Sequence, residues 1–386
     1  MLTKVSWTKA LPALTNDLRV KEKGDNAISH FIMAAAAQQN YVGILSIGSM
    51  GAGIAKLLKA RGFIVGTSGH ARSPATIRRA EEANVEVLSS DVELVEKASV
   101  ILSVVPPRDA LETARRVVDA LHELATRGSR PSNPLYYIDL NAVAPSTARG
   151  ISELFTPVQN SARFIDGSIL GEPPVLIRDN ASGQQTVTPT TATSGVDHSP
   201  GRWVQPRIPI SGPHHITDLS YHGDRLYAAL NMRYLSSEVG AASGLKMCYT
   251  TMFKGYIAVA AQGFTTAERL GLLDVLKDEL QLRLPDHLRL AESGVVVTPP
   301  KAYRWVFEME EIARTHAEES GFAPALFQGA AGVFRDIADN GVLGEEKIGS
   351  RVRGTTMEDF AAILARDLEH KTTNRQVSPG NDEDHS

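Results

Sequence analysis

From residue 41 onward, short apolar runs alternate with segments of helical period: YVGILSI, GIAKLLKARG, FIVGTS, PATIRRAEEA, VEVLS, VELVEKA and SVILSVV. Such runs suit strands buried on both faces, and each intervening amphipathic stretch is long enough to cross from one parallel strand to the next. This rhythm constrains the chain more than any other feature, because an α/β domain with a mostly parallel sheet is what uses it throughout. LYYIDL (135–140) and RFIDGSIL (163–170) add two strands, with an amphipathic helix over DALETARRVVDALHELATR before the first of them. RIPISG and MRYLSS are each short enough to be a further strand.

The first strand-to-helix turn reads ILSIGSMGAGIA, with glycines at 48, 51 and 53 and Ser46 where a G-x-G-x-x-G fingerprint has its first glycine. At such a junction Gly48 lets backbone approach a pyrophosphate, and Gly51 permits close helix–strand packing. The free N–H groups of the helix N-terminus attract the anion. An NAD-selective domain places an acidic residue about 20 positions past the first glycine. Here the region VGTSGHARSPAT has no carboxylate, while His70, Arg72 and Ser73 offer positive charge and a hydroxyl. That set suits a 2′-phosphate, so NADP(H) is the expected cofactor. Ser73 also stands where a helix cap is needed.

The length of 386 residues suits about two domains. Residues 1–40 mix lysine and arginine with acidic side chains, lack a secretory apolar region, and read as a flexible extension. Residues 41–236 form the expected Rossmann domain, interrupted over 178–203 by RDNASGQQTVTPTTATSGVDHSPGRW, a polar surface insertion. Residues 237–370 read as an all-α domain for substrate binding and dimerisation, opening with one long helix from about 238 to 270. The polar residues 371–386 read as a disordered tail.

Composition narrows the function. A net charge of -4 gives no bulk attraction to nucleic acid or anionic membrane, and no run of 18 apolar residues spans a bilayer. A small-molecule substrate is expected. The one cysteine, Cys248, excludes an internal disulfide framework and suits a reducing compartment, so the expected location is cytoplasmic. His198, His214, His215 and His222 have no familiar ligand spacing, and no metal is expected.

These residues resemble the NADP-binding domain of the 6-phosphogluconate dehydrogenase and β-hydroxyacid dehydrogenase superfamily. The family's opening G-x-G-x-M-G is seen as SIGSMG, so the resemblance implies cofactor contacts at Gly48, Ser49, Met50 and Gly51. SVVPP (103–107) resembles the loop lining the nicotinamide side, which implicates Val105 and Pro106. DLNAVAPSTAR (139–149) resembles the Asp-x-Ser-Thr-x-x-Pro segment, with Asn141 and Ala142 in place of its serine and threonine. FIDGSILG (164–171) stands for the substrate-binding D-A-P-V-S-G-G, keeping the Asp and a Gly but losing the Pro and Ser. GAASGLKMCY, KGYIAVAAQ and PPKAYRWVFEMEEIA resemble the phosphogluconate-dehydrogenase-like C-terminal domain of a poorly characterised branch.

Within GAASGLKMCYT, Lys246 falls where the resemblance places the catalytic lysine, and Asn141 completes the candidate catalytic set. The asparagine that usually follows four residues after that lysine is Thr250. A partly desolvated lysine can be tuned to move a hydroxyl proton during hydride transfer. On the later helix, Arg304 and Glu308 stand at i,i+4 as an intrahelical pair, with Trp305 as a core anchor. The expected protein is an NADP(H)-dependent oxidoreductase acting on a small carbonyl or hydroxy-acid substrate, working as a homodimer. An imine reductase-like enzyme and a non-catalytic NADP-binding regulator are the alternatives.

Overall fold

The structure, a computed structural model, describes residues 40–70, 73–128, 133–177, 202–219 and 222–377. Strands β1 (Tyr41–Leu45), β2 (Ile64–Ser68), β3 (Glu86–Leu88), β4 (Val100–Ser103), β5 (Leu135–Asp139) and β6 (Ala162–Gly167) alternate with helices α1 (Ser49–Ala60), α2 (Pro74–Glu82), α3 (Asp91–Lys97), α4 (Ala110–Thr126) and α5 (Pro145–Leu154). A small antiparallel pair, β7 (Val175–Leu176) and β8 (Trp203–Val204), follows, then β9 (Ile208–Ser211), α6 (Gly223–Ala229) and β10 (Met232–Tyr234). The main sheet has the order β10-β9-β6-β5-β4-β1-β2-β3 and is parallel except where β9 meets β6.

Every residue of β1, β4 and β5 is buried, as a sheet covered by helices on both faces requires. Ser73 and Ser90 accept the N–H groups of Thr76 and Glu93 and so start α2 and α3. The strand order reverses at β1, between β4 and β2. In sheets of this kind ligands bind at that reversal, beyond the carboxyl ends of the strands.

The remaining elements are helical. The long helix expected from about 238 to 270 is present as α7 (Ala241–Thr250), a π turn over Thr251–Gly255, and α8 (Tyr256–Arg269). Around it lie α9 (Leu273–Arg283), α10 (Pro285–Val297), α11 (Ala302–Ser320), α12 (Ala325–Ala338) and α13 (Met357–Val377). Met247, Ile257, Phe264, Trp305, Met309, Phe334 and Phe360 fill their common core, with the Trp305 and Phe334 rings edge to face at 5.2 Å. Trp305 is therefore the core anchor that its place in the pattern implied.

Helix α11 also ties this bundle to the sheet domain. Glu311 Oε2 accepts the Ala144 N–H at 2.7 Å and the Thr147 hydroxyl at 2.8 Å at the start of α5. Arg149 pairs with Glu319 at 2.7 Å, and the Arg108 guanidinium lies 5.1 Å from the Phe307 ring centre.

Two boundaries differ from the sequence reading. Helix α13 continues to Val377, into the stretch read as tail, because polar residues extend a helix whose earlier turns are held by Phe360, Ala361 and Leu364 in the core. Trp203, placed at the end of the insertion, belongs to β8 and packs against the core of the sheet domain. Most of the insertion (178–201), most of the N-terminal extension (1–39) and the end of the tail (378–386) lie outside the described residues. Among the described residues no helix is long and apolar enough to cross a membrane, and no group of three His, Cys, Asp or Glu side chains is arranged to hold a metal.

Candidate active site

The glycine turn lies at the strand-order reversal. A Cβ on Gly51 would sit 2.0 Å from the Ser46 carbonyl oxygen, so α1 can pack this closely on the end of β1 only with glycine there. At Gly48 a Cβ would meet nothing within 4 Å, leaving open space in front of the helix. Gly48 caps α1 with extended backbone and no side-chain hydrogen bond, and the first turn has no acidic residue. Ser49 and Met50 begin the helix beside it. This uncapped, positively polarised helix end is what a pyrophosphate needs. Arg79 braces the turn by donating from Nε to Ile47 O at 2.9 Å.

At the end of β2 there is no carboxylate: Thr67 donates its hydroxyl to Ile44 O, and Ser68 accepts the His70 N–H. Ser73 is the N-cap of α2. Arg72 lies outside the described residues.

Asn141, the second residue of the expected catalytic set, lies just past the end of β5. Its side chain is buried, and its amide donates to Ser103 Oγ at 3.0 Å and to Asp139 Oδ1. Its oxygen accepts the Val105 N–H at 2.7 Å. Both of its amide hydrogens and its oxygen are thus engaged within the protein. Asn141 fixes the loop of Val105 and Pro106 against the end of β5. Burial, with the Asp166 charge on the neighbouring strand, pushes the Asp139 carboxyl beneath it up to about 8.

Asp166, at the end of β6, organises the start of α7. Its Oδ2 accepts the N–H groups of Gly240 (2.9 Å), Ala242 (3.1 Å) and Ser243 (3.2 Å) and the Ser211 hydroxyl (2.8 Å). Its Oδ1 accepts the Ser243 hydroxyl at 2.6 Å. A carboxylate thus serves the helix N-terminus that lacks a side-chain cap of its own. The aspartate kept in FIDGSILG was the only sequence signal for it.

One turn along α7, Lys246 donates from Nζ to Ile169 O at 2.7 Å. Burial holds its pKa below the ordinary lysine value, opposed by the charges of Glu308 and Glu172 and reinforced by Arg304. The segment that holds Lys246 continues to Pro173 and Pro174, which lie where a Cβ on Gly53 of α1 would touch them, at 3.1 and 3.0 Å. The lysine and the helix of the glycine turn therefore meet the same short stretch of chain.

Beside Lys246 is a cluster that was not legible in the sequence. Lys254, in the π turn, forms an ion pair with Glu308 and lies 4.8 Å from the Trp305 ring centre. The expected Arg304–Glu308 pair is not formed, because the buried Lys254 ammonium takes the carboxylate. Thr250 is buried, and its hydroxyl has no hydrogen-bond partner among the described residues. Glu172, on the Lys246-binding segment, pairs with Lys301 at 3.6 Å.

Fold and glycine turn together define the class, a Rossmann-type dinucleotide-binding domain followed by a helical C-terminal region. Residues 41–125 match the family described as NADP oxidoreductase, coenzyme F420-dependent, and residues 267–337 match a domain of unknown function, DUF1932. The resemblance to the β-hydroxyacid dehydrogenase superfamily holds at the level of the fold. An uncharacterized 28.5 kDa protein of Methanothermus fervidus is 20% identical over 302 residues, covering 77% of this chain and 99% of its own. A conserved hypothetical protein from Sinorhizobium meliloti 1021 has a TM-score of 0.52 and 21% identity, covering 85% of this chain and 96% of that one. The 3-hydroxyisobutyrate dehydrogenase of Mycobacterium tuberculosis has a TM-score of 0.51 and 17% identity, covering 84% and 98%. At these identities the two structures establish a shared fold.

Proposed function

We propose that this chain transfers a hydride between NADP(H) and a small carbonyl or hydroxy-acid substrate, with Lys246 moving the hydroxyl proton. The observation that carries this reading is the placement of Lys246. Its ammonium is half-buried on a helix capped by Asp166, on the chain segment that also reaches α1 of the glycine turn.

The space in front of Gly48 and the uncapped end of α1 fit a dinucleotide. Gly48, Ser49, Met50 and Gly51 would hold its pyrophosphate, and Val105 and Pro106 would line the nicotinamide side. Arg72 and Ser73 would bind a 2′-phosphate, a choice favoured by the missing carboxylate after β2. NADP(H), when bound, supplies or accepts the hydride. Lys246 gives its proton to the developing alkoxide in the reducing direction and takes one from the hydroxyl in the other. Asn141 acts behind the site by holding the Val105 loop in place. The lysine favours a C–O centre over an imine.

A homodimer is part of this proposal. Met252, Val259, Phe322 and Leu326 are large apolar side chains left exposed on the helical region, an arrangement suited to burial against a second copy. The function is tested by following NADPH consumption against panels of carbonyls, hydroxy acids and imines. Turnover of a carbonyl or hydroxy acid, in the oxidising direction with NADP, is expected. Turnover of imines alone would overturn it.

A further inference from the structure

The helix carrying Lys246 is interrupted by a π turn one turn later, and π turns of this kind recur at functional sites. In an unbroken α-helix a residue eight positions on lies about 80° around the axis from the first. The extra residue of a π turn removes up to one residue of rotation, about 100°, which turns the Lys254 position toward the face of Lys246, and the Lys246 charge acts on Lys254. Two anchors then fix it: the Glu308 carboxylate and the face of Trp305, both on α11. Thr250, at the position between the two lysines, offers Lys246 no bond.

We propose that Lys254 is a positioning residue of the reaction site, supplying the charged partner that Thr250 does not, so that the Lys246 and Lys254 ammonium groups bind protons as one coupled pair over Glu308. The inference rests on the reading of Lys246 as the proton-moving group. The charged groups facing the pair are Glu308 and Arg304 from α11 and Glu172, itself bonded to Lys301, from the segment after β6. Burial pushes Lys254 down to about 8, helped by the charges of Lys246 and Arg304 and opposed by Glu308. Both lysines are thus held below the ordinary lysine value, and a charge on either one disfavours a second proton on the other. A coupled pair has titration midpoints that belong to both groups, so removing either lysine must raise the midpoint of the other.

The test needs no turnover. Lysines of the intact chain are labelled by reductive ¹³C-methylation, and the Lys246 and Lys254 resonances are titrated by NMR, each identified by its loss in the Lys246→Met or Lys254→Met variant. The proposal expects a Lys254 midpoint near 8 that rises by a unit or more, a tenfold gain in proton affinity, in Lys246→Met. It expects Lys246 to rise in Lys254→Met and to keep its wild-type midpoint in Lys254→Arg, which preserves the charge. If Lys254→Met does not fold, the Lys246→Met arm and Glu308→Gln, expected to lower both midpoints, decide the matter. A Lys254 midpoint at the ordinary lysine value and unmoved by Lys246→Met would overturn the coupling. Failure of the catalytic reading shows separately, as unchanged turnover in Lys246→Met.

Discussion

Asp166 accepts the Ser243 hydroxyl at 2.6 Å and, through its other oxygen, the Ser243 N–H at 3.2 Å. This pair joins β6 to the first turn of α7, three residues before Lys246. Replacing Asp166 by alanine leaves buried N–H groups of that turn without an acceptor, and the expected loss of stability is about 2–3 kcal/mol. Urea denaturation measures it. A loss below about 0.5 kcal/mol, the size of an ordinary surface change, would show that the carboxylate does not support the helix.

The two glycines of the turn should fail in different ways. Gly51→Val drives a side chain into the Ser46 carbonyl and should lower the melting temperature sharply. At Gly48 an added Cβ meets no protein atom within 4 Å, so Gly48→Val should fold normally while losing binding of both NADP(H) and NAD(H). Thermal melts paired with fluorescence titration of NADPH separate the two outcomes. A Gly48→Val protein that binds NADPH normally would remove the pyrophosphate from this turn.

Cofactor choice is tested at Arg72. Arg72→Ala should weaken NADP(H) binding by about 1–3 kcal/mol, the worth of a charged hydrogen bond, and leave NAD(H) nearly unchanged. Calorimetry with both cofactors reads the difference directly. Equal losses would show that Arg72 does not read the 2′-phosphate.

Asp139 gives the fold a pH signature of definite sign. Its carboxyl is raised to about 8 in the folded chain and sits near 3.9 when unfolded. The unfolded chain therefore loses this proton first, and the contribution to stability is full below about pH 4 and is lost as pH rises toward 8. Asp139→Asn keeps an acceptor for Asn141 and cannot ionise. Its stability relative to wild type should improve as pH rises from 4 to 8, measured by denaturation across that range. A constant difference would place the Asp139 pKa at an ordinary carboxylate value.

The sheet was readable because its signal is local. YVGILSI, SVILSVV and LYYIDL are apolar runs between helical segments, and each became a buried strand. Gly51 was readable for the same reason, since a strand-to-helix turn needs a small residue at fixed spacing. The surroundings of Lys246 were not, because they depend on distant chain segments. Asp166 and Ser243 are 77 residues apart, and Lys254 and Glu308 are 54 apart. At Glu308 the local pattern pointed to Arg304, four residues away. Desolvation favours the partner that comes from another helix and is itself buried, an effect that no spacing within α11 records. The π turn left no mark either, as KMCYTTMFKGYIA is compatible with an unbroken helix.

Turnover in Lys246→Met, measured on a substrate found by the NADPH screen, tests the central proposal most directly. Methionine keeps most of the stem length and removes the charge, while the glycine turn lies on the other domain, so NADPH affinity and folding should change little. The expected result is a kcat lowered by roughly 10²–10⁴-fold, the usual worth of a positioned acid or base. In the wild type, reduction should slow as pH rises through the lowered pKa of the lysine, and that limb should vanish in the variant. Near-normal kcat with the same pH limb would contradict the proposal and leave Lys246 a structural residue bonded to Ile169.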